Sequence, residues 1–162
     1  MAPMAAPGHS HAHDETSTTR RRAWEPVTAE AAPTPRGSAY SVATVAGGFV
    51  FTSGLGPVDP LTRETVGSEV GEQTRQTLRN LTAVLAAAGC TLDDVVKVTA
   101  HLHNGDADWP AYNEAYLEFF RPPYPARTTA GSDLGTILVE IDAVAVRPAA
   151  PDPGYDPGDV RS

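Results

Sequence analysis

Two ionisable side chains stand in stretches that otherwise ask for burial. Glu140 lies in the middle of Ile137-Leu138-Val139-Glu140-Ile141-Asp142-Ala143-Val144. A carboxylate there must be paired, protonated or opened to a polar cavity, because burying it alone is costly. Arg127 follows Tyr124-Pro125-Ala126 and precedes Thr128-Thr129, a stiff extended segment that leaves the guanidinium little freedom. Residue chemistry keeps two readings open. In one, Arg127 and Glu140 form a structural ion pair tying two adjacent strands. In the other they make a site for a small anionic substrate, where Arg127 grips a carboxylate through two parallel hydrogen bonds and Glu140 handles a proton or a water.

Other candidate chemistries are thinner. Cys90 sits between Gly89 and Thr91 with no His or Asn near it in sequence, so it reads as a packing or surface thiol. His101 and His103 share one face of a strand, a spacing that a metal can use, but no third ligand is evident and we expect no metal. Ser53 in Thr52-Ser53-Gly54-Leu55-Gly56 looks like half of a nucleophile elbow without the helix that should follow it directly. Gly54-Leu55-Gly56-Pro57 lacks the Gly-Lys-Ser/Thr ending of a phosphate loop. His9, His11 and His13 alternate near the N-terminus; without ordered partners around them we read a solvated tail rather than a metal site.

The elements that must position Arg127 and Glu140 follow from periodicity. Residues 40–46 and 49–53 read as strands joined by Gly47-Gly48, because consecutive glycines supply the positive φ angles of a tight hairpin. Val70, Thr74, Thr77, Leu78, Leu81, Val84, Leu85 and Ala88 recur at helical spacing, with Gly89 just past the end and Ser68 as a cap. Residues 95–103 alternate, placing Val96, Val98, Ala100 and Leu102 on one face and Val95, Lys97, Thr99, His101 and His103 on the other. A second helix, capped by Asp106 or Asp108, carries Trp109, Tyr112, Tyr116, Phe119 and Phe120 and stops at Arg121-Pro122-Pro123. A short strand around Arg127 and a long one over 137–146 complete a ββ-α-β-α-β order. Helices on one face leave the other open, and there Lys97, Thr99, Glu140 and Asp142 mix with Val95, Val144 and Val146. A half-apolar open sheet usually finds a partner, so we expect a homo-oligomer.

Composition sets the outer limits. The 162 residues carry a formal net charge of -8, without the broad basic surface that a nucleic-acid backbone requires. One cysteine gives no internal disulfide and no argument for an oxidising compartment. With no apolar run after Arg20-Arg21-Arg22 that would mark a signal peptide, and no membrane-length stretch, we expect a cytoplasmic protein. Residues 1–36 read as a disordered N-terminal tail, 37–147 as one domain and 148–162 as a flexible C-terminal tail.

Taken together, these segments resemble the RidA (YjgF-type) family of enamine/imine deaminases from about Tyr40 to Arg147. The most specific stretches are Pro125-Ala126-Arg127-Thr128 and Val139-Glu140-Ile141-Asp142-Ala143-Val144-Ala145. Phe51-Thr52-Ser53-Gly54 with Pro57-Val58-Asp59-Pro60, Gln76-Thr77-Leu78-Arg79-Asn80-Leu81, Val95-Val96-Lys97-Val98-Thr99 and Tyr112-Asn113-Glu114-Ala115-Tyr116 stand around them in family order. The resemblance implies an α+β, chorismate-mutase-like fold: a mixed sheet with two helices on one face, assembled as a homotrimer with one site in each cleft between subunits. It implies hydrolysis of reactive 2-imino acids and their enamine tautomers to 2-oxo acids and ammonia, with no cofactor.

Carried over by residue, Arg127 would bind the substrate carboxylate and Glu140 would hold or activate the attacking water. Tyr40 would reach the site across the subunit boundary, Ser53 and Gly54 would line its carboxylate end through their backbone, and Asn113 would lie near the pocket. Thr129 stands where many members have cysteine, an exchange expected to change pocket shape more than chemistry. Residues 130–135 are shorter than in many deaminases, and the loop over 103–108 is one residue longer, so substrate size is open. Two alternatives remain: a small-carboxylate-binding trimer without catalysis, and an imine-handling tautomerase or cyclase of specialised metabolism. Ribonuclease activity has also been attributed to this family, but the acidic chain makes it a distant option.

Overall fold

The Gly47-Gly48 turn organises the first half of the sheet. The computed structural model of the protein describes residues 22–29 and 38–149. Gly47 (φ 56°) and Gly48 (φ 81°) both take the left-handed region, and the turn joins β2 (Ala43–Ala46) to β3 (Phe49–Thr52). Side chains there would meet strain rather than crowding, since nothing lies within 4 Å of either Cβ position. Tyr40 stands outside the strand, which starts three residues later than the hairpin pattern predicts.

The remaining elements are β1 (Glu25–Val27), α1 (Val70–Ala87), β4 (Val95–Leu102), α2 (Trp109–Leu117), β5 (Ala126–Gly131) and β6 (Val139–Val146). The strands form one mixed sheet in the order β1-β2-β3-β6-β4-β5. Among the described strands only β4 and β5 run parallel, as their connection through α2 allows. The α+β class and two-helix, mixed-sheet architecture are those read from the sequence.

Both helices cover the same face. Leu78, Leu81 and Leu85 of α1 and Tyr112 and Tyr116 of α2 share one core with Val98, Ala100 and Leu102 of β4 and Val139, Ile141, Ala143 and Ala145 of β6. The other face carries half-buried Lys97, Thr99, His101, Glu140, Asp142 and Val144. It also carries apolar cross-strand pairs, Phe49 opposite Val146 and Phe51 opposite Val144, with both phenyl rings more than two-fifths exposed.

Three expectations need correction. The segment read as tail contains β1, which pairs with β2 through Glu25–Val45 and Val27–Ala43. Its composition is too poor for a core, but a three-residue strand needs only a sheet edge to pair with, and Val27 and Ala29 rest on the core. His9, His11 and His13, with the remainder of both tails, lie outside the described residues. In β4 the ladder passes from Val95–Ala145 directly to Lys97–Val144, so Val96 is an extra residue. The bulge inverts the alternation: Val95 turns into the core and Val96 outward. Finally, Glu69 rather than Ser68 precedes α1, and Ser68 donates its own N–H to the Glu72 carboxylate.

Candidate functional site

Arg127 and Glu140 do not meet within one chain. β4 lies between their strands: Arg127 is level with Val98, Val98 with Ala143, and Glu140 with His101. At about 4.8 Å per strand and 3.3 Å per residue, the two positions are roughly 10 Å apart in each direction of the sheet. They also face opposite sides. Arg127 shares the face of its in-register neighbour Val98, which is fully buried under the helices. Glu140 sits between Val139 and Ile141, both fully buried, so alternation turns it to the open face. The structural ion pair between adjacent strands is therefore excluded.

On the helix side Arg127 occupies an aromatic cradle. Its guanidinium carbon is 4.8 Å from the Trp109 ring centroid, 5.5 Å from Tyr112 and 4.5 Å from Tyr116. These positions, i, i+3 and i+7, fall on one face of α2 by helical geometry. Cation–π contact on several sides fixes the plane of the guanidinium. Nη2 donates to Asn113 Oδ1 at 3.0 Å, which leaves further donors facing a cavity of about 520 Å³ that Thr129, Tyr124 and Leu117 also line. Among the described residues the buried hydroxyls of Tyr112, Tyr116 and Thr129 find no hydrogen-bond partner of ordinary geometry. Arg127, Asn113 and Thr129 thus come together.

Glu140 lies in a second cluster. After Phe51–Val144 the β3 chain rejoins β6 at the Leu55–Ile141 bridge. Three residues, Thr52 to Gly54, oppose two, Asp142 and Ala143, so the chain bulges. Thr52 Oγ1 fills the gap by accepting the Ala143 N–H at 2.9 Å. The bulge brings Gly54 against the Glu140 carboxylate, which occupies the space a Cβ on Gly54 would need. Ser53 turns its hydroxyl inward to donate to the Ser41 carbonyl at 2.6 Å, leaving its backbone as the part available to a ligand. Tyr40, half-exposed, lines a separate hollow with Val27 and Ser41. The seven residues singled out therefore fall into an Arg127 group, a Glu140 group and an outlying Tyr40.

A family model described as Endoribonuclease L-PSP matches residues 29–147. The chain belongs to this family. A RutC family protein of Pyrococcus horikoshii is 42% identical over 125 residues, 76% of this chain and 98% of that protein. A protein of Dermatophagoides farinae named 2-iminobutanoate/2-iminopropanoate deaminase is 38% identical over 117 residues, 71% of this chain and 90% of that one. Among solved structures, a Rid family protein of unknown function from Yersinia pestis superposes with a TM-score of 0.72 at 34% identity, covering 76% of this chain and 99% of its own.

In this L-PSP family chain, two side chains that the helical stripe did not include hold the loops of the Glu140 cluster. Asn80, buried on α1, donates to the carbonyls of Gly56 and Val58 at 2.9 and 2.8 Å. Gln73, equally buried, donates to the Gly67 carbonyl and accepts the Leu138 N–H at 2.7 Å, two residues before Glu140. Polar residues inside an apolar stripe were the available signal, because buried polar groups need partners. His101 and His103 are likewise engaged: His101 Nδ1 lies 2.7 Å from Ser132 Oγ, and His103 Nδ1 accepts the Leu134 N–H at 3.2 Å. Both brace the short loop after β5.

Two expected results test this geometry. Gly54→Ala should displace the Glu140 carboxylate, lowering turnover far more than the thermal midpoint, because the group that must yield is the end of a flexible side chain. An unchanged rate would show that the carboxylate position is unimportant. The second concerns the cradle, where burial pushes the Tyr116 phenol from 10.0 up to about 12, with Tyr112 adding to the rise and Arg127 opposing it. Above pH 10 the unfolded chain gains by ionising a phenol that the folded chain keeps protonated. Stability present below pH 10 therefore declines as pH rises through about 12. Burial also raises Tyr112, so Tyr116→Phe should flatten this decline without abolishing it, as read from urea midpoints across the alkaline range.

Proposed function

We propose that this protein hydrolyses 2-imino acids and their enamine tautomers to 2-oxo acids and ammonia, at sites formed between neighbouring copies in a cyclic homotrimer. The observation that carries this reading is the division of the chemistry: a fixed, donor-rich Arg127 on the helix side and a carboxylate at Gly54 on the open side. Neither cluster alone supplies both an anion clamp and a base. A neighbouring copy whose open face covers the edge strand β5 would unite them, and the exposed Phe49, Phe51 and Val146 supply apolar surface for such a contact.

In the mechanism, Arg127 binds the substrate carboxylate through its planar fork. The protonated imine carbon is already electrophilic, so orientation and a placed water do most of the work. Glu140 of the neighbouring copy takes a proton as the water oxygen bonds to that carbon. That proton passes to nitrogen; Glu140 then takes the hydroxyl proton as the carbon–oxygen double bond forms and the carbon–nitrogen bond breaks, and the departing ammonia carries this proton away as ammonium, leaving the 2-oxo acid. Because the electrophile is inherent in the substrate, we assign no cofactor. The net charge of -8 gives no support to a nucleic-acid substrate. No described helix is long and apolar enough to cross a membrane.

The test is release of 2-oxo acid above the spontaneous rate from imine generated in place by an amino-acid oxidase; no acceleration would sink the proposal. One observation favours a second reading. The Arg127 cavity is lined within a single chain, as a small-carboxylate-binding protein would require. Saturable binding of 2-oxobutanoate or benzoate without deamination would identify that function.

A further inference from the structure

We infer that the Arg127 cavity is shaped for 2-imino acids bearing a bulky apolar or aromatic side chain, in preference to three- and four-carbon members. The inference rests on the deaminase reading and adds the substrate class.

The rim carries the argument. In the single copy Trp109, Leu117 and Tyr124 are 41%, 47% and 53% exposed around the Arg127 guanidinium. Single exposed apolar side chains are ordinary, but a contiguous set bordering one cation is a binding feature. A carboxylate on a minimal substrate needs the guanidinium, the rings that orient it and Asn113; it has no use for the Leu117 side chain and the Tyr124 phenol ring at the mouth. Volume points the same way. About 520 Å³ lies in the range of pockets that enclose drug-sized ligands, and a four-carbon acid would occupy a small part of it.

Charge narrows the class further. Among the described residues Arg127 is the only charged one lining the cavity, so a second carboxylate on the side chain would find no second cation there and would lose hydration on entry. Orientation follows from the division of the site. With the carboxylate held at Arg127, the imine carbon must face the neighbouring copy's Glu140. The remaining substituent is directed along the rim, where Tyr124 offers a π face for an aromatic ring and Leu117 an apolar side chain.

The test uses the full chain and imines made in place from alanine and phenylalanine by an amino-acid oxidase. In an apolar pocket a single methylene changes specificity about 10- to 200-fold, so kcat/KM for the phenylalanine-derived imine should exceed that of the alanine-derived one by about tenfold or more. Tyr124→Ala, at a half-exposed position where folding is not at risk, should cut that ratio about fivefold or more by removing one wall. A ratio near one, a preference for the smaller imine, or a ratio unmoved by Tyr124→Ala overturns the inference and leaves the deaminase reading intact. If neither imine is accelerated, the deaminase reading fails and binding decides the cavity: phenylacetate should quench tryptophan fluorescence with a Kd about tenfold or more below that of acetate. Equal affinities overturn the inference.

Discussion

Arg127→Ala should lower kcat/KM for imine hydrolysis by about 10²- to 10⁴-fold while the assembly stays intact, two lost charge-assisted hydrogen bonds at ~1.5–3 kcal/mol each giving that range. The site predicts why the effect should be so large. Three rings lie within 5.5 Å of the guanidinium carbon and Asn113 holds one nitrogen, so the fork is already oriented and little of its strength is spent on ordering. Folding should survive because Arg127 belongs to β5, an edge strand, and is only half-buried. Arg127→Lys is the sharper comparison. It retains the charge but has neither the planar fork nor the same stacking on Trp109 and Tyr116, so it should recover only a minor part of the loss. Steady-state kinetics with sedimentation as the assembly control would decide the matter; a wild-type-like rate for the alanine variant would remove the deaminase assignment.

Mixing two inactive variants should restore activity. Arg127→Ala subunits retain Glu140, and Glu140→Gln subunits retain Arg127. In a cyclic assembly each interface joins different patches of two copies, so after random 1:1 reassembly about one interface in four pairs an intact Arg127 with an intact Glu140. Roughly a quarter of the wild-type rate is therefore expected from a mixture whose components are each nearly inactive. No other result separates a shared site so cleanly from one contained in a single chain. If the mixture, unfolded and refolded together, is no more active than its components, the site does not cross a subunit boundary. The basis is the register itself: Val98 of β4 lies between Arg127 and Ala143 of β6, and the Arg127 and Glu140 side chains leave the sheet on opposite faces.

Much of this architecture was legible in the chain. Gly47-Gly48 announced a hairpin because few other residues accept two successive positive φ angles. The stripe from Val70 to Ala88 announced α1, and the alternation of Val139, Ile141, Ala143 and Ala145 announced the inward face of β6. The misreadings share a cause. Val96 looked inward because alternation was counted through a bulge, and a bulge depends on the partner strand rather than on the residues that form it. The strand β1 was missed because its order comes from the edge of β2, whereas composition reports only what a segment can bury by itself.

The same distinction applies to the site. Residue type and neighbours marked Arg127 and Glu140 as the charges with unusual surroundings, and the two-residue period of a strand assigned each to a definite side of its own element. The cradle of Trp109, Tyr112 and Tyr116 was present as a helical repeat but read only as packing, since nothing local says that an arginine will lie over it. Whether Arg127 and Glu140 face each other depended on the interposition of β4 between β5 and β6. That choice is made by long-range strand pairing and by burial of the common face under α1 and α2. Neither is encoded in a local period, so the sequence could name the two groups while only the tertiary structure set them on opposite faces.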